Sequence, residues 1–323
     1  MYKLIKYNEE YKNIWDKFVC VSNQGTFLHT RKYIEYHKDR FIDKSLIIKS
    51  KDKIVAVFPA DIDPINKNLI ISHPGLTYGG VLFTNNIYGD RVNEIIKLIF
   101  DYYFISGFKK LIYKAVPFIY HKIPSQDDIY FLKRLKAVNY RIDLSCTLDL
   151  SEKRFISKRR ERSLKNAQKQ SMEFFEDFNE IELCWEILEN NLKRKFNALP
   201  VHNIYEIKEL IKLFPNNISC FYAKLGNEVM ASIILYKNYN VWHTQYISTT
   251  TKGININAID FLMDKIIKIA KKNKIRWFDF GTSNENEGEF LNYDLYNFKH
   301  SFGSGGTLHN FYKIDKNIFI KNK

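Results

Sequence analysis

The apolar positions of this chain fall into two successive runs of the same kind. Between residues 9 and 21, Trp15, Phe18 and Val19 recur at helical spacing, and a second amphipathic stretch covers residues 31–37. Short runs rich in β-branched residues then predict strands at 45–49 and 54–58, flanking the polar turn Ser50-Lys51-Asp52-Lys53, with a third strand at 69–72. The helical period returns within 88–108, where Val92, Ile95, Ile96, Ile99 and Phe100 share a face and Gly107 marks the end; residues 111–115 read as a closing strand.

The second half repeats this order. Residues 182–195 and 203–214 are helical, strands 219–225 and 229–236 flank the turn Gly226-Asn227, a third strand holds Tyr246 within 241–248, a helix runs over 255–272, and 276–280 closes the set. Seven elements in matching order predict a duplicated α/β (α+β) architecture. The expected lobes are 1–150 and 151–323, each a mixed sheet flanked by helices, with a cleft between them; a length of 323 residues suits two such cores.

Composition narrows the class. Apolar residues at 45% and aromatics at 15% exclude a disordered chain. Cys20, Cys146, Cys184 and Cys220 lie far apart without paired spacing, which suggests neither a disulfide framework nor a zinc knuckle and points to a reducing cytoplasm. The most apolar stretch, 95–108, is interrupted by Lys97 and Asp101, so neither a signal sequence nor a membrane span is expected. The net charge of +14 favours anionic partners, but Lys far outnumbers Arg and Asn, Ile, Tyr and Phe are heavily used, a pattern that an AT-rich genome imposes on any protein. Where the charge concentrates is therefore more informative. If the basic segment 155–170 is helical, Lys158, Arg162, Lys165 and Lys169 line one face, and Arg159 and Arg160 widen the stripe. A solvated helix face and an anion site at the lobe junction are both consistent with it.

The element order resembles the GNAT acyltransferase fold present twice, as in Fem-like peptidyltransferases. Local wording supports the resemblance: Thr26-Phe27-Leu28, Tyr36-His37-Lys38-Asp39-Arg40-Phe41, Val55-Ala56-Val57-Phe58-Pro59-Ala60 and Ser72-His73-Pro74-Gly75-Leu76-Thr77-Tyr78-Gly79-Gly80 look like the first lobe of a Fem-like branch associated with surface glycans. Phe278-Asp279-Phe280-Gly281-Thr282-Ser283, followed by Gly288, Leu291-Asn292 and Lys299-His300-Ser301-Phe302-Gly303, looks like its second lobe.

The resemblance implies a coenzyme A pyrophosphate loop between the third strand and the next helix, where unpaired helix-start amides suit phosphate. Here that stretch is 249–257, with Thr251, Lys252, Gly253, Asn255 and Asn257 as donor-binding candidates; its single Gly and lack of an Arg-rich run depart from the usual pattern. The equivalent first-lobe stretch, 84–89, has no basic residue, which places the donor on the second lobe. His73 and Tyr78, beside Gly79-Gly80, are candidates for acceptor binding, and His73 for the base that strips the acceptor ammonium; a structural histidine is the bland alternative. Asp279 interrupts the aromatic run Trp277-Phe278-Asp279-Phe280, where a carboxylate is costly unless paired or used; it could orient or deprotonate the amine, or pair with Arg276 or Lys299. Lys299 matches the lysine of the Leu-Tyr-Asn-Phe-Lys run of Fem-like enzymes, which implies a role near the transferred acyl group. A cation there would stabilise the tetrahedral oxyanion by about 3 kcal/mol, whereas charge balance with Asp279 or Glu289 is its structural reading. Tyr246, Ser283, Lys158, Arg159 and Arg162 complete the expected acceptor contacts.

No phosphate-binding P-loop, triple-glycine dinucleotide turn or His-Glu-x-x-His occurs, which argues against nucleotide hydrolysis, hydride transfer and zinc proteolysis. The expected activity is an N-acyltransferase without a permanently bound cofactor or metal. Its donor would be a thioester, acetyl-coenzyme A (or another acyl-CoA) or an acyl carrier protein, and its acceptor a small-molecule amine on a phosphate-bearing sugar, either a sugar nucleotide or a glycan or cell-envelope precursor. An aminoacyl-tRNA donor is the second reading, and a non-catalytic binding protein that kept the lobes is the third.

Overall fold

The computed structural model describes residues 2–153 and 155–323, which divide into two compact units. The first comprises Met1–Asp143, Asn284–Phe290 and Leu308–Lys323; the second comprises Leu144–Ser283 and Leu291–Thr307.

In the first unit, β1 (Tyr2–Lys6), α1 (Lys12–Val21), β2 (Leu46–Ser50), β3 (Lys53–Phe58), β4 (Leu69–Ile71), α2 (Asp90–Ile105), β5 (Lys110–Lys114) and α3 (Asp127–Arg134) follow in order. Strands β1, β2, β3 and the short Leu82–Phe83 form an antiparallel sheet. In a second sheet β4 runs parallel to β5 through three registered pairs, Leu69↔Lys110, Ile70↔Leu111 and Ile71↔Ile112. The apolar stripe of α2, from Val92 to Phe104, is buried in one core with Leu46, Phe58 and Tyr113.

The chain enters the second unit within β6 (Val138–Asp149) and continues through α4 (Lys158–Gln168), β7 (Glu173–Glu176), α5 (Ile181–Phe196), α6 (Ile204–Leu213), β8 (Ile218–Leu225), β9 (Glu228–Lys237), β10 (Val241–Thr249), α7 (Thr251–Asn255), α8 (Ala258–Lys272), β11 (Trp277–Thr282) and α9 (Tyr293–His300). Strands β7, β8, β9 and β10 pair antiparallel in sequence order, β11 runs parallel to β10, and β6 closes antiparallel on β11. One face of this sheet, with Ala231, Ile233, Leu235, Phe278 and Phe280, shares a core with Leu262, Met263 and Ile266 of α8. Asn203 starts α6 with a capping box, its side chain accepting from the Glu206 amide while Glu206 returns to the Asn203 amide.

The fold class is as expected, a mixed α/β arrangement in which the run of helix, hairpin, strand, helix and strand recurs in both units, although the second helix expected at 31–37 is a single turn, Arg31–Ile34. The domain limits differ from 1–150 and 151–323. Segment 308–323 belongs to the first unit because Phe311–Asp315 of β12 (Gly305–Asp315) pair antiparallel with β5, and because Phe319 of α10 (Lys316–Asn322) is fully buried against Phe100 and Phe104, 5.6 and 5.4 Å between ring centroids. Neither segment was marked by an uninterrupted apolar period, so their partners could be assigned only in three dimensions.

The basic helix forms as expected, capped by Ser157, whose hydroxyl accepts from the Arg160 amide. Its arginines do not act alike. Lys158, Arg159, Arg162, Lys165 and Lys169 are exposed, but Arg160 turns inward, donating to Asp260 of α8 at 2.7 Å and to Ser301 at 2.7 and 3.1 Å, with its guanidinium 4.0 Å from the Phe302 ring centre. Burial holds the Asp260 carboxyl above its ordinary pKa despite this partner. Removing one member of a buried pair strands the other, at a cost of about 3 kcal/mol or more. Arg160→Met should therefore lower the urea unfolding free energy by ~3 kcal/mol, and Arg159→Met should change it by less than ~0.5 kcal/mol.

Candidate active site

Parallel pairing between β10 and β11 lasts for three residues, Val241↔Trp277, Trp242↔Phe278 and His243↔Asp279, and then stops. Both strands continue with their other neighbours. Beyond His243, β10 follows β9 as far as Ala231↔Thr249, with Gln245 as an extra residue between Leu235↔Thr244 and Ile234↔Tyr246. Beyond Asp279, β11 shifts register on β6 before reaching Thr282↔Ser145, and Gly281 takes a positive φ of 75° at the bend. A bulge re-aims one strand and a left-handed glycine the other. The two strands therefore part at His243 and Asp279, leaving facing backbone edges that no longer pair with each other.

At the apex of this wedge Asp279 is completely buried, and it is supplied with donors. His243 Nδ1 lies 2.8 Å from Oδ2; Oδ1 accepts from the Ser145 hydroxyl, from the Gly281 amide at 3.0 Å and from the Thr147 hydroxyl at 3.4 Å. A buried carboxylate without such donors would be strongly unfavourable, so Ser145 and Thr147 are there to hold it. The expected alternative of an Asp279 pair with Arg276 is not formed: Arg276 approaches Asp149 instead, at 3.7 Å.

Lys299 extends from α9 to the same bend. Its ammonium donates to Gly281 O at 3.0 Å and Thr282 O at 2.6 Å, and burial lowers its pKa from 10.5 to about 8, with Asp279 acting in the opposite direction. Ser283, next in the chain, is buried, donates its amide to Leu144 O and accepts from the Asn292 amide through its own carbonyl; its hydroxyl has no hydrogen-bond partner among the described residues. Tyr246 stands farther along β10 with its hydroxyl 2.6 Å from His202 Nδ1 and its ring edge-on to Trp185; burial pushes its pKa up to about 12. Asp279 and Tyr246 are thus placed on the two parting strands, Ser283 just beyond the end of β11, and Lys299 on the helix that reaches the bend. Lys158, Arg159 and Arg162 lie on the exposed face of α4.

The turn after β10 differs in detail from expectation. The helix expected over 255–272 begins at Ala258, and Thr250 caps the preceding short helix α7 by accepting from the Gly253 amide at 2.9 Å. Asn255 is the last residue of α7, and Asn257 sits in the left-handed region at φ 59°, a conformation Asn tolerates, without a side-chain cap bond. Gly253 serves packing: a Cβ there would lie 2.1 Å from Met230 O. Lys252 pairs with Glu228 at the surface, 2.7 Å away. An arginine reaches the turn from α5, where Arg194 donates to the Thr251 hydroxyl at 3.3 Å.

In the first unit the equivalent parallel pair, β4 and β5, also parts after three residues, but its own chain fills the gap. Ser72 bridges with its amide to Ile112 O and its hydroxyl to the Lys114 amide; the Gly79 amide donates to Lys114 O; and buried Lys114 donates to His73 O and Leu76 O. His73, expected as a base, is instead part of this plug. It is 1% exposed, stacked on His37, 3.1 Å from Asp61 Oδ2, and held well below its ordinary pKa by burial and by His37. Tyr78, expected at the acceptor, is 2% exposed among Tyr120, His29 and His309. Glycine-rich wording suggested a ligand loop there; Gly75 and Gly79 are instead demanded by close contacts with His37 and Ser72 O.

Sequence reasoning missed His243, Ser145, Thr147, His202 and Arg194. The register of the parallel strands, which sets His243 opposite Asp279, is the signal that identifies the first of these.

Residues 151–297 match the GNAT acetyltransferase domain family, the span that contains α4 and both strands of the wedge. The chain is an acyltransferase with a tandem GNAT fold. Among solved structures it resembles FemX, 10% identical over 98% of each chain with a TM-score of 0.69, and the L-PGS of Bacillus licheniformis, 10% identical over 97% of this chain and 94% of the other with a TM-score of 0.61. A tandem GNAT protein from the clavulanic acid biosynthesis pathway aligns over 98% of both chains at 7% identity, with a TM-score of 0.53. At these identities the likeness is one of fold. No curated protein matches the sequence of this acyltransferase significantly.

Between about pH 8 and 10.5 the unfolded chain binds more protons at Lys299 than the folded acyltransferase does, so this residue makes stability rise with pH across that window. In Lys299→Met that contribution should vanish, and the gain in urea midpoint between pH 7.5 and pH 10 should be smaller than in wild type, by roughly the increment one titrating group supplies.

Proposed function

We propose that the chain transfers an acyl group from a thioester to the amino group of a sugar nucleotide or a glycan or cell-envelope precursor. The observation that carries this reading is the asymmetry between the two strand partings: one is plugged by its own chain, and the other ends at a part-exposed His243, where β10 and β11 stop pairing with each other. A strand edge released from its parallel partner suits an extended, polar chain such as the pantetheine arm of the donor, which needs partners for its amides.

In this reading the donor, acetyl-coenzyme A or an acyl carrier protein, lies in the second unit, its phosphates along the turn that contains Thr251, Lys252, Gly253, Asn255 and Asn257, with Arg194 adding charge. The acceptor amine attacks the thioester carbonyl directly. Lys299 has given two ammonium protons to carbonyls and keeps the third for the oxygen of the tetrahedral adduct, an interaction worth about 3 kcal/mol of barrier. Exposed Lys158, Arg159 and Arg162 offer charge to the acceptor's phosphates, with Tyr246 and Ser283 nearer the acyl group. An aminoacyl-tRNA donor is the second reading, favoured by the exposed basic face of α4.

Acetyl-coenzyme A at one hundred times its Kd should raise the apparent melting temperature by roughly 5 °C, because a ligand selective for the folded state adds about 2.7 kcal/mol. That shift should survive 200 mM salt. No shift with acetyl-coenzyme A, together with tRNA binding that collapses over the same salt range, would transfer the donor site to the second reading.

A further inference from the structure

We infer that His243, oriented by Asp279, is the base that removes a proton from the acceptor ammonium. The inference rests on the acyl-transfer reading and adds to it the residue that makes the nucleophile. An amine attacks a carbonyl only through its lone pair, and an ammonium has none, so a site that takes a protonated amine at neutral pH needs an acceptor for that proton.

Four features single out this imidazole. Nδ1 faces a carboxylate oxygen at 2.8 Å, which fixes its proton on Nδ1 and leaves the lone pair on Nε2. The carboxylate cannot swing away, because Ser145, Thr147 and the Gly281 amide all bind its other oxygen. The ring is the part of this network that reaches solvent: the His243 side chain is 16% exposed and that of Asp279 is 0% exposed. Finally, the Cε1–Nε2 edge lies over Gly281, where a Cβ would come within 3.2 Å of Cε1 and 3.9 Å of Nε2, so the missing side chain keeps that edge clear. Among the described residues Nε2 has no hydrogen-bond partner.

The other titratable groups about the ring are Tyr236, its registered neighbour on β9, Tyr246 farther along β10, and Lys299, which approaches from α9 through Gly281 and Thr282. Asp279 offsets the imidazolium that forms, and Lys299 opposes it.

Nε2 takes one proton from the ammonium and passes it to solvent. The nitrogen lone pair forms the C–N bond, the carbonyl π pair moves to oxygen beside Lys299, and its return breaks the C–S bond. The second proton lost from nitrogen leaves on the thiol, giving an amide, a free thiol and one proton.

The test uses the full chain with acetyl-coenzyme A and three probe amines, glucosamine, glucosamine 1-phosphate and UDP-glucosamine carrying a free amine, read by thiol release. The His243→Asn variant keeps, through its side-chain amide, a donor at the place of Nδ1 for Asp279. It should lose about 100-fold in kcat/KM at pH 6.5, and the deficit relative to wild type should shrink to under about 10-fold at pH 9.5, where the acceptor is already unprotonated. Taking the ratio at each pH removes the titration of Lys299, which both proteins share. In parallel, ¹⁵N-histidine spectra of wild type should show the proton of His243 on Nδ1 at neutral pH, and Asp279→Asn should abolish that preference.

A deficit equal at both pH values, or a proton found on Nε2 in wild type, would overturn the base and leave acyl transfer standing. Absence of thiol release by wild type with every probe would overturn the acyl-transfer reading and the base with it. If Asp279→Asn fails to fold, the wild-type tautomer and the pH dependence of His243→Asn still decide the matter.

Discussion

The structure of the second unit turns on a carboxylate that water does not reach. Asp279 is fully buried at the place where two parallel strands stop pairing, and a charge in that position is tolerable only if donors surround it. Ser145 and Thr147 come from β6, the Gly281 amide from the bend of β11, and His243 from the facing residue of β10. The irregular features nearby follow from that demand. Gly281 lets the chain turn so that its own amide points back at Asp279, and the turned carbonyls of Gly281 and Thr282 are then satisfied by Lys299.

The duplicated architecture gives this arrangement an internal control. Both units contain one parallel pair of three registered residues, and in both the strands then part. In the first unit the gap is closed by Ser72, His73 and the following turn, which draw Lys114 inward as a buried cation with its pKa lowered to about 7. In the second unit the gap holds a histidine that reaches solvent. Two copies of one fold thus diverge by whether a loop returns its backbone to the wedge. A buried lysine is common to both, which shows that such a residue serves first to satisfy carbonyls at a parted strand; any catalytic part for Lys299 is added to that duty.

Charge along α4 likewise takes its meaning from three dimensions. Exposed cations on α4 stand out in the sequence, yet its structurally committed arginine, Arg160, is hidden among them and ties α4 to Asp260 and Ser301. A helix period shows which residues share a face. It does not show which face finds a partner, and Arg160 lies only one step from residues that remain in solvent.

Periodicity alone determined most of the regular structure. The core stripes of α2 and α8, the hairpins β2–β3 and β8–β9 and the repeated order were legible because burial imposes periods of 3.6 and 2 on the residues that carry them. Asp279 and Lys299 were also legible, as a carboxylate inside an aromatic run and a lysine in a family-like motif. His243 was not, because a histidine in a strand acquires meaning only from the residue placed opposite it by register, here 36 positions later in the chain. Nor could the sequence show that His73 is scaffold, that Gly253 is needed by Met230 O, or that the last residues belong with the first unit. Each depends on a contact between segments far apart in the chain, and local periodicity carries no information about which distant segment will arrive.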